Sequence, residues 1–274
     1  MIMTVPSNLL PLEAYVRSGF FCLILAGVGL WEFFSPRRRA RVGRRLRWLN
    51  NLLVSVINAV SVRLFFPLLP LGVAVVCAER GYGLLNLLHV PPWFSIPAGI
   101  VVLDLAIYGQ HVLLHKVGVL WRLHRMHHTD LDVDVTTGVR FHPLEILLSE
   151  SIKMAVVAAA GAPAISVLIF ELVLNGMSLF NHGNLRLPAA VDAVLRLFVI
   201  TPDMHRVHHS IIVKEGNNNY GFSIPWWDRL FGTYRAQPAA GHDGMTIGVG
   251  EFFDVRYSRL PQMLATPFVK GKVP

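Results

Sequence analysis

Apolar residues along this chain gather into long continuous runs with short polar stretches between them, the pattern of membrane-crossing helices rather than of amphipathic elements around a soluble core. The first run covers about Ser18 to Phe34, close to the ~17–25 residues that a spanning helix needs. No basic stretch precedes it, and Trp31-Glu32-Phe33-Phe34 stands where a cleaved leader would carry small residues. It therefore reads as a retained helix. The second run, about Asn51 to Ala78, is interrupted by Arg63, Pro67 and Pro70 and reads as one kinked, tilted helix. A short amphipathic stretch, Leu84 to His89, leads to the third run, about Pro97 to Leu114. Asp104 inside that run is expected to face protein rather than lipid. A fourth apolar region, about Met154 to Phe180, is broken at Gly161-Ala162-Pro163 and suits two short limbs of a hairpin or a re-entrant dip. About Ala189 to Ile200 is amphipathic and suits the membrane interface. From Asn217 onward the chain is rich in Gly, Pro and Asn and reads as a polar cap.

The expected fold is thus an all-α integral membrane protein. It has about three spanning helices plus a broken or re-entrant hairpin, with a cytoplasmic histidine-rich helical cap. Residues 1–96 form the N-terminal membrane helices and a basic cytoplasmic loop, 97–235 the histidine-motif domain, and 236–274 a C-terminal cytoplasmic tail.

Composition agrees. Of 274 residues 53% are hydrophobic, and the mean hydropathy is +0.49, a moderate excess over the ~45–50% apolar content of soluble domains. The net charge of +8 is local. Arg37, Arg38, Arg39, Arg41, Arg44, Arg45 and Arg47 fall in one stretch, and without them the 25 Lys and Arg nearly balance the 17 Asp and Glu. A basic stretch just after an apolar run marks the cytoplasmic side and attracts anionic head groups. With no stacking aromatics or groove-binding motif beside it, no nucleic acid partner is expected. This orientation makes the protein multi-pass, and the third helix returns to deliver His111 and the later histidines to the cytoplasmic side. Cys22 and Cys77 lie inside apolar runs and supply no iron–sulfur or structural zinc site. Any metal must be held by nitrogen and oxygen.

Histidine carries the chemistry. Of twelve histidines, eight stand in three motifs, His111-x3-His115, His124-x2-His127-His128 and His205-x2-His208-His209. On a helix, positions i, i+3 and i+4 share one face, so each triplet is expected to present its imidazoles to one point. An HxxxH spacing arises readily by chance, but a doubled HxxHH does not. His89 and His242 stand apart and read as ordinary structural histidines. Eight imidazoles together would repel if charged, or leave polar nitrogens unpaired if neutral, and a metal removes both costs. Eight nitrogens exceed what one tetrahedral zinc can use, so two ions are implied. Neither HExxH nor Glu-x-x-His occurs, which removes the zinc-protease helix and the carboxylate-bridged bundle. Imidazole suits iron, copper and zinc alike. A zinc-dependent membrane hydrolase or isomerase, or a metal-binding transport component, therefore stands beside a redox enzyme.

Further strings keep the same order along the chain. They are Arg140-Phe141-His142-Pro143-Leu144-Glu145, Asn181-His182-Gly183-Asn184, Asn219-Tyr220-Gly221 and Trp227-Asp228-Arg229-Leu230-Phe231-Gly232-Thr233. Together with the histidine motifs they resemble the fatty acid hydroxylase superfamily, which includes sterol desaturases, over about Asp104 to Thr233. The resemblance implies a membrane-embedded non-haem enzyme with two iron ions. Such an enzyme uses O2 and externally supplied electrons to hydroxylate or desaturate a membrane lipid of sterol or fatty-acyl type. It makes the eight motif histidines metal ligands, His182 a ninth, and His142 a weaker candidate that could instead bond the turn at Pro143. Asp130, Asn181, Asn184 and Asp203 become candidate orienters, because ligating imidazoles donate their second N–H to such groups. Asp228 reads as a helix cap, and Trp226, Trp227 and Phe231 as anchors of the cap to the interface. With no His-Pro-Gly-Gly signature and no cysteine cluster, electrons are expected from a separate cytochrome b5-, ferredoxin- or reductase-like donor at the cytoplasmic face.

Overall fold

The computed structural model describes residues 9–271. Helix α1 (Leu9–Phe34) leaves Leu23, Leu30, Phe33 and Phe34 exposed, as a lipid-facing helix does. The second apolar run is broken rather than kinked, into α2 (Arg44–Phe65) and α3 (Pro70–Arg80). Pro67 offers no N–H to continue the ladder, and Pro70 opens the next helix at a position where a missing N–H costs nothing. After the single turn α4 (Leu84–Leu87), α5 (Pro92–Lys116) extends the third run at both ends. Val117 then leads directly into α6 (Gly118–His128).

The hairpin breaks where the sequence placed the break. α7 (Pro143–Ala160) ends at Gly161, which has a φ of +65°, and Pro163 precedes α8 (Ala164–His182). The limbs are longer than expected. α8 alone is about 28 Å long. Among the described residues four stretches are long and apolar enough to cross a membrane: Glu13–Phe34, Arg44–Leu87, Pro92–Lys116 and Ala164–His182. α7 is of similar length but carries Glu145, Glu150 and Lys153. Among the described residues no strand forms, only the isolated bridges Pro36–Leu185 and Ser210–Ile247.

α5 packs against both limbs of the hairpin. Leu71, Ala74, Leu103, Ile107, Val157 and Phe170 form the shared core of α3, α5, α7 and α8. Gly83 lets the α3–α4 turn sit directly on the hairpin corner, since a Cβ there would lie 2.2 Å from the Gly161 nitrogen. The short helices α9 (Ala189–Leu195) and α10 (Pro202–His208) follow α8. Residues after 236 fold back onto α6. Met263 packs with Met126 and Val54, and the Arg125 guanidinium donates to the carbonyls of Thr266 and Val269.

Candidate metal centre

Four helices deliver nine imidazoles to one buried region. α5 supplies His111 and His115, α6 supplies His124, His127 and His128, and α8 supplies His182. α10 and the residue after it supply His205, His208 and His209. Thr201 caps α10 and Pro202 occupies its first turn, so the histidine segment is helical although short. All nine are buried. They form two groups, within each of which the available ring nitrogens lie within 4.8 Å of one another. One group is His111, His115, His124, His128 and His208, and the other is His127, His182, His205 and His209.

This division corrects the expectation that each triplet points to one place. His124 and His128 join the first group while His127 joins the second; His205 and His209 join the second while His208 joins the first. Positions i and i+4 lie only about 40° apart around a helix, whereas i+3 lies about 60° to the other side. Each HxxHH therefore straddles two centres, with opposite sense in the two motifs.

Hydrogen bonds set the tautomers. The Nδ1–H groups of His111, His127, His182 and His208 donate to the carbonyls of Tyr220, Arg140, Ser178 and Asn218, at 2.6, 3.2, 2.6 and 2.8 Å. A carbonyl only accepts, so each of these rings carries a lone pair on Nε2. His124 Nδ1 lies 2.7 Å from Glu145 Oε1. The Nε2 atoms of His127 and His182 then face one another at 3.0 Å. Two lone pairs at that distance repel unless a cation lies between them. Two imidazole nitrogens bound to one ion at about 2.1 Å each would stand about 3 Å apart. The Nε2 of His208 and both ring nitrogens of His209 are buried with no hydrogen-bond partner. Burial, with neighbouring imidazoles adding to it, holds His124, His127, His128, His205, His208 and His209 well below the ordinary histidine range. They are neutral near pH 7, with lone pairs free. The donor set fits metal ions.

Other expected site residues lie elsewhere. His142 caps α7, accepting from the Leu144 N–H, and its Nε2 faces the Leu264 carbonyl at 3.2 Å, outside both groups. Asp130 bonds no histidine. Its carboxylate takes Arg47 at 2.6 and 2.8 Å and Thr137 at 2.9 Å, and although it is fully buried the Arg47 guanidinium holds its pKa down to about 2. Asp203 pairs with Arg206, and Asn184 with the backbone of Arg38. Asn181 donates to the Phe222 carbonyl at 3.0 Å. Asp104 faces protein, as its position in α5 suggested, and accepts from Trp227 Nε1 at 2.8 Å. Trp226 is exposed, and Phe231 stacks on Tyr108.

Sequence reasoning missed the groups that hold the rings. Glu145 was legible only as part of its string, and the four carbonyls have no side-chain signature. Asp228 is no helix cap. It sits inside a short helix, accepts from the N–H groups of Tyr220 and Gly221 at 2.8 and 2.9 Å, and so fixes the loop whose carbonyl holds His111. Asn219, at a φ of +53°, ties the same loop to the carbonyls of Met204 and Arg235.

A cavity of about 220 Å³ opens between α2, α5, α7 and α8, with His111 and His124 in its wall. A buried two-group histidine centre beside a cavity among membrane-length helices defines a class of membrane metalloprotein. The fatty acid hydroxylase family matches residues 96–233, half of the chain, and the chain belongs to that family. It is 32% identical over 165 residues to the ornithine lipid hydroxylase OlsE of Rhizobium tropici, covering 60% of this chain and 49% of that protein. It is 27% identical over 216 residues to the alkylglycerol monooxygenase of Homo sapiens, covering 76% and 46%. With methylsterol monooxygenase 2-2 of Arabidopsis thaliana it shares 24% over 169 residues, covering 60% and 63%. The chain thus spans about half the length of the first two relatives. No solved structure matches it significantly.

Proposed function

We propose that the chain is a membrane-bound non-haem di-iron oxidoreductase that hydroxylates or desaturates a lipid, using O2 and external electrons. The observation that carries this is the pair of buried, charge-neutral imidazole groups with opposed lone pairs, one of them bordering a cavity between membrane-length helices. Relatives named for lipid hydroxylation and monooxygenation support the lipid and the oxidation. His111, His115, His124, His128 and His208 would hold one iron, and His127, His182, His205 and His209 the other. Bound there, the pair supplies O2 activation and removal of hydrogen from an unactivated C–H bond.

The protein contributes position and exclusion of water. Glu145 and the Tyr220, Arg140, Ser178 and Asn218 carbonyls fix ring orientation. The cavity, with His111 and His124 in its wall, would receive the lipid carbon to be oxidised. The arginine-rich loop argues for a cytoplasmic site and for docking of a separate cytochrome b5-, ferredoxin- or reductase-like donor on that side.

Metal analysis of chain purified from membranes should give two irons per chain. ¹⁸O2 should label a hydroxylated product, or O2 should be consumed as a double bond forms. Two zinc ions with O2-independent turnover would overturn the proposal.

A further inference from the structure

The cavity beside the first histidine group is not the plain apolar slot that a hydrocarbon tail would need. Two amide oxygens of its polar wall lack partners among the described residues. Asn58 is 7% exposed, and its Nδ2 donates to the Phe141 carbonyl at 2.9 Å, which fixes the amide and leaves Oδ1 buried without a partner among the described residues. Gln110 Oε1, on α5 next to His111, is likewise buried and unpartnered among the described residues. The two amide oxygens are acceptors, and a buried acceptor left unpaired is costly.

Beyond them Glu150 and Lys153 line the cavity. Lys153 Nζ lies 2.6 Å from Glu150 and 3.4 Å from Glu171, and Glu171 continues to Arg17 and Glu13 at 2.7 Å each. That chain holds three carboxyl groups against two cations. Ionisable groups at such depth, inside protein, mark binding paths more often than scaffolding. The cavity, at about 220 Å³, is also smaller than the roughly 300–1,000 Å³ of sites for drug-sized ligands. It suits a head group with a short length of chain rather than an entire lipid tail.

We infer that Asn58 and Gln110 form a subsite for a lipid head group that donates hydrogen bonds, a primary ammonium or a hydroxyl, held next to His111 and His124. The oxidised carbon then lies in or beside the polar part of the lipid. The inference rests on the proposed function only for what happens to the lipid after it binds. Donors on the head group satisfy the Asn58 and Gln110 oxygens, and an ammonium gains further from the carboxyl excess at Glu150. Methylated head groups of equal chain length bring no donor and leave the acceptors unpaired.

The test measures binding to the metal-loaded full chain in phosphatidylcholine nanodiscs under argon, so that no turnover intervenes. The probes are decylamine against decyltrimethylammonium, and decylglycerol against its dimethyl ether. The donor-bearing member of at least one pair should bind at least about tenfold tighter than its methylated twin, and the pair that shows the difference identifies the head group. Asn58→Leu and Gln110→Leu should each cut that ratio to about threefold or less with metal content unchanged. Gln110→Glu should raise the ammonium preference. Twins binding equally in the wild type, or a preference that survives both leucine variants, would overturn the inference. If Asn58→Leu does not fold, the Gln110 pair decides. A protein that shows the preference but oxidises no lipid in air with a reductant loses the proposed function and keeps the subsite; the reverse result removes only the subsite.

Discussion

The two histidine groups adjoin, with the His128 and His209 rings 4.6 Å apart, but differ in what surrounds them. The five-histidine group borders the cavity through His111 and His124, whereas none of the four histidines of the other group lines it. The first is held by Glu145 on α7 and by the Asn218–Tyr220 loop, which Asp228 and Asn219 clamp. The second is sealed by scaffold. Its His127 leans on the Arg140 carbonyl. The Arg140 guanidinium donates to Asn51, Thr129 and the carbonyls of Met126 and Tyr257. Beside it Arg47 joins Asp130 and Asp134. Under the proposed function the first group would meet the substrate and the second would stay fixed while that happens.

The largest effect should come from the proposed ligands. His111→Ala and His127→Ala should each abolish lipid oxidation and lower bound metal, read by product mass spectrometry and metal analysis. Full activity in His127→Ala would mean that the sealed group takes no part. Arg47→Ala should be next, leaving Asp130 and Asp134 buried without their cation at a cost of about 3–5 kcal/mol. Thermal unfolding in detergent should show the loss, with metal leaving the sealed group first. Glu145→Gln should reduce activity or metal affinity by about 10–100-fold through His124 alone. Equal metal loss from both groups would show them to be one coupled unit. Ile146→Trp, at the cavity wall, should slow lipid turnover yet leave metal stoichiometry intact.

The smallest effect is acid sensitivity at Asp130. Its folded pKa of about 2 lies below the ordinary 3.8, so its contribution to stability is full above about pH 4 and is lost as pH falls through about 2. A denaturation series across that range should lose this contribution in the wild type, while Asp130→Asn should flatten it.

The apolar runs, the break at Gly161-Ala162-Pro163 and the histidine spacings were all legible in one dimension. Run length and the i, i+4 relation are local properties of a helix. The proline break between α2 and α3 was half legible, since Pro67 and Pro70 were visible but not whether the helix would bend or stop. The seven-arginine stretch looked like a solvated or head-group-facing run, yet Arg47 is buried in a carboxylate pair. Charge patterning on its own does not reveal which arginine turns inward, because that depends on Asp130 and Asp134 arriving from more than eighty residues away.

The sequence by itself determined the composition of the site, nitrogen-rich and set at or just beyond the ends of membrane-length helices, because residue type and helical period need no tertiary context. Only the tertiary structure decided which histidine serves which group, which carbonyls hold the rings, and which group meets the cavity. Those depend on how α5, α6, α8 and α10 are rotated against one another, and rotation is set by packing rather than by spacing.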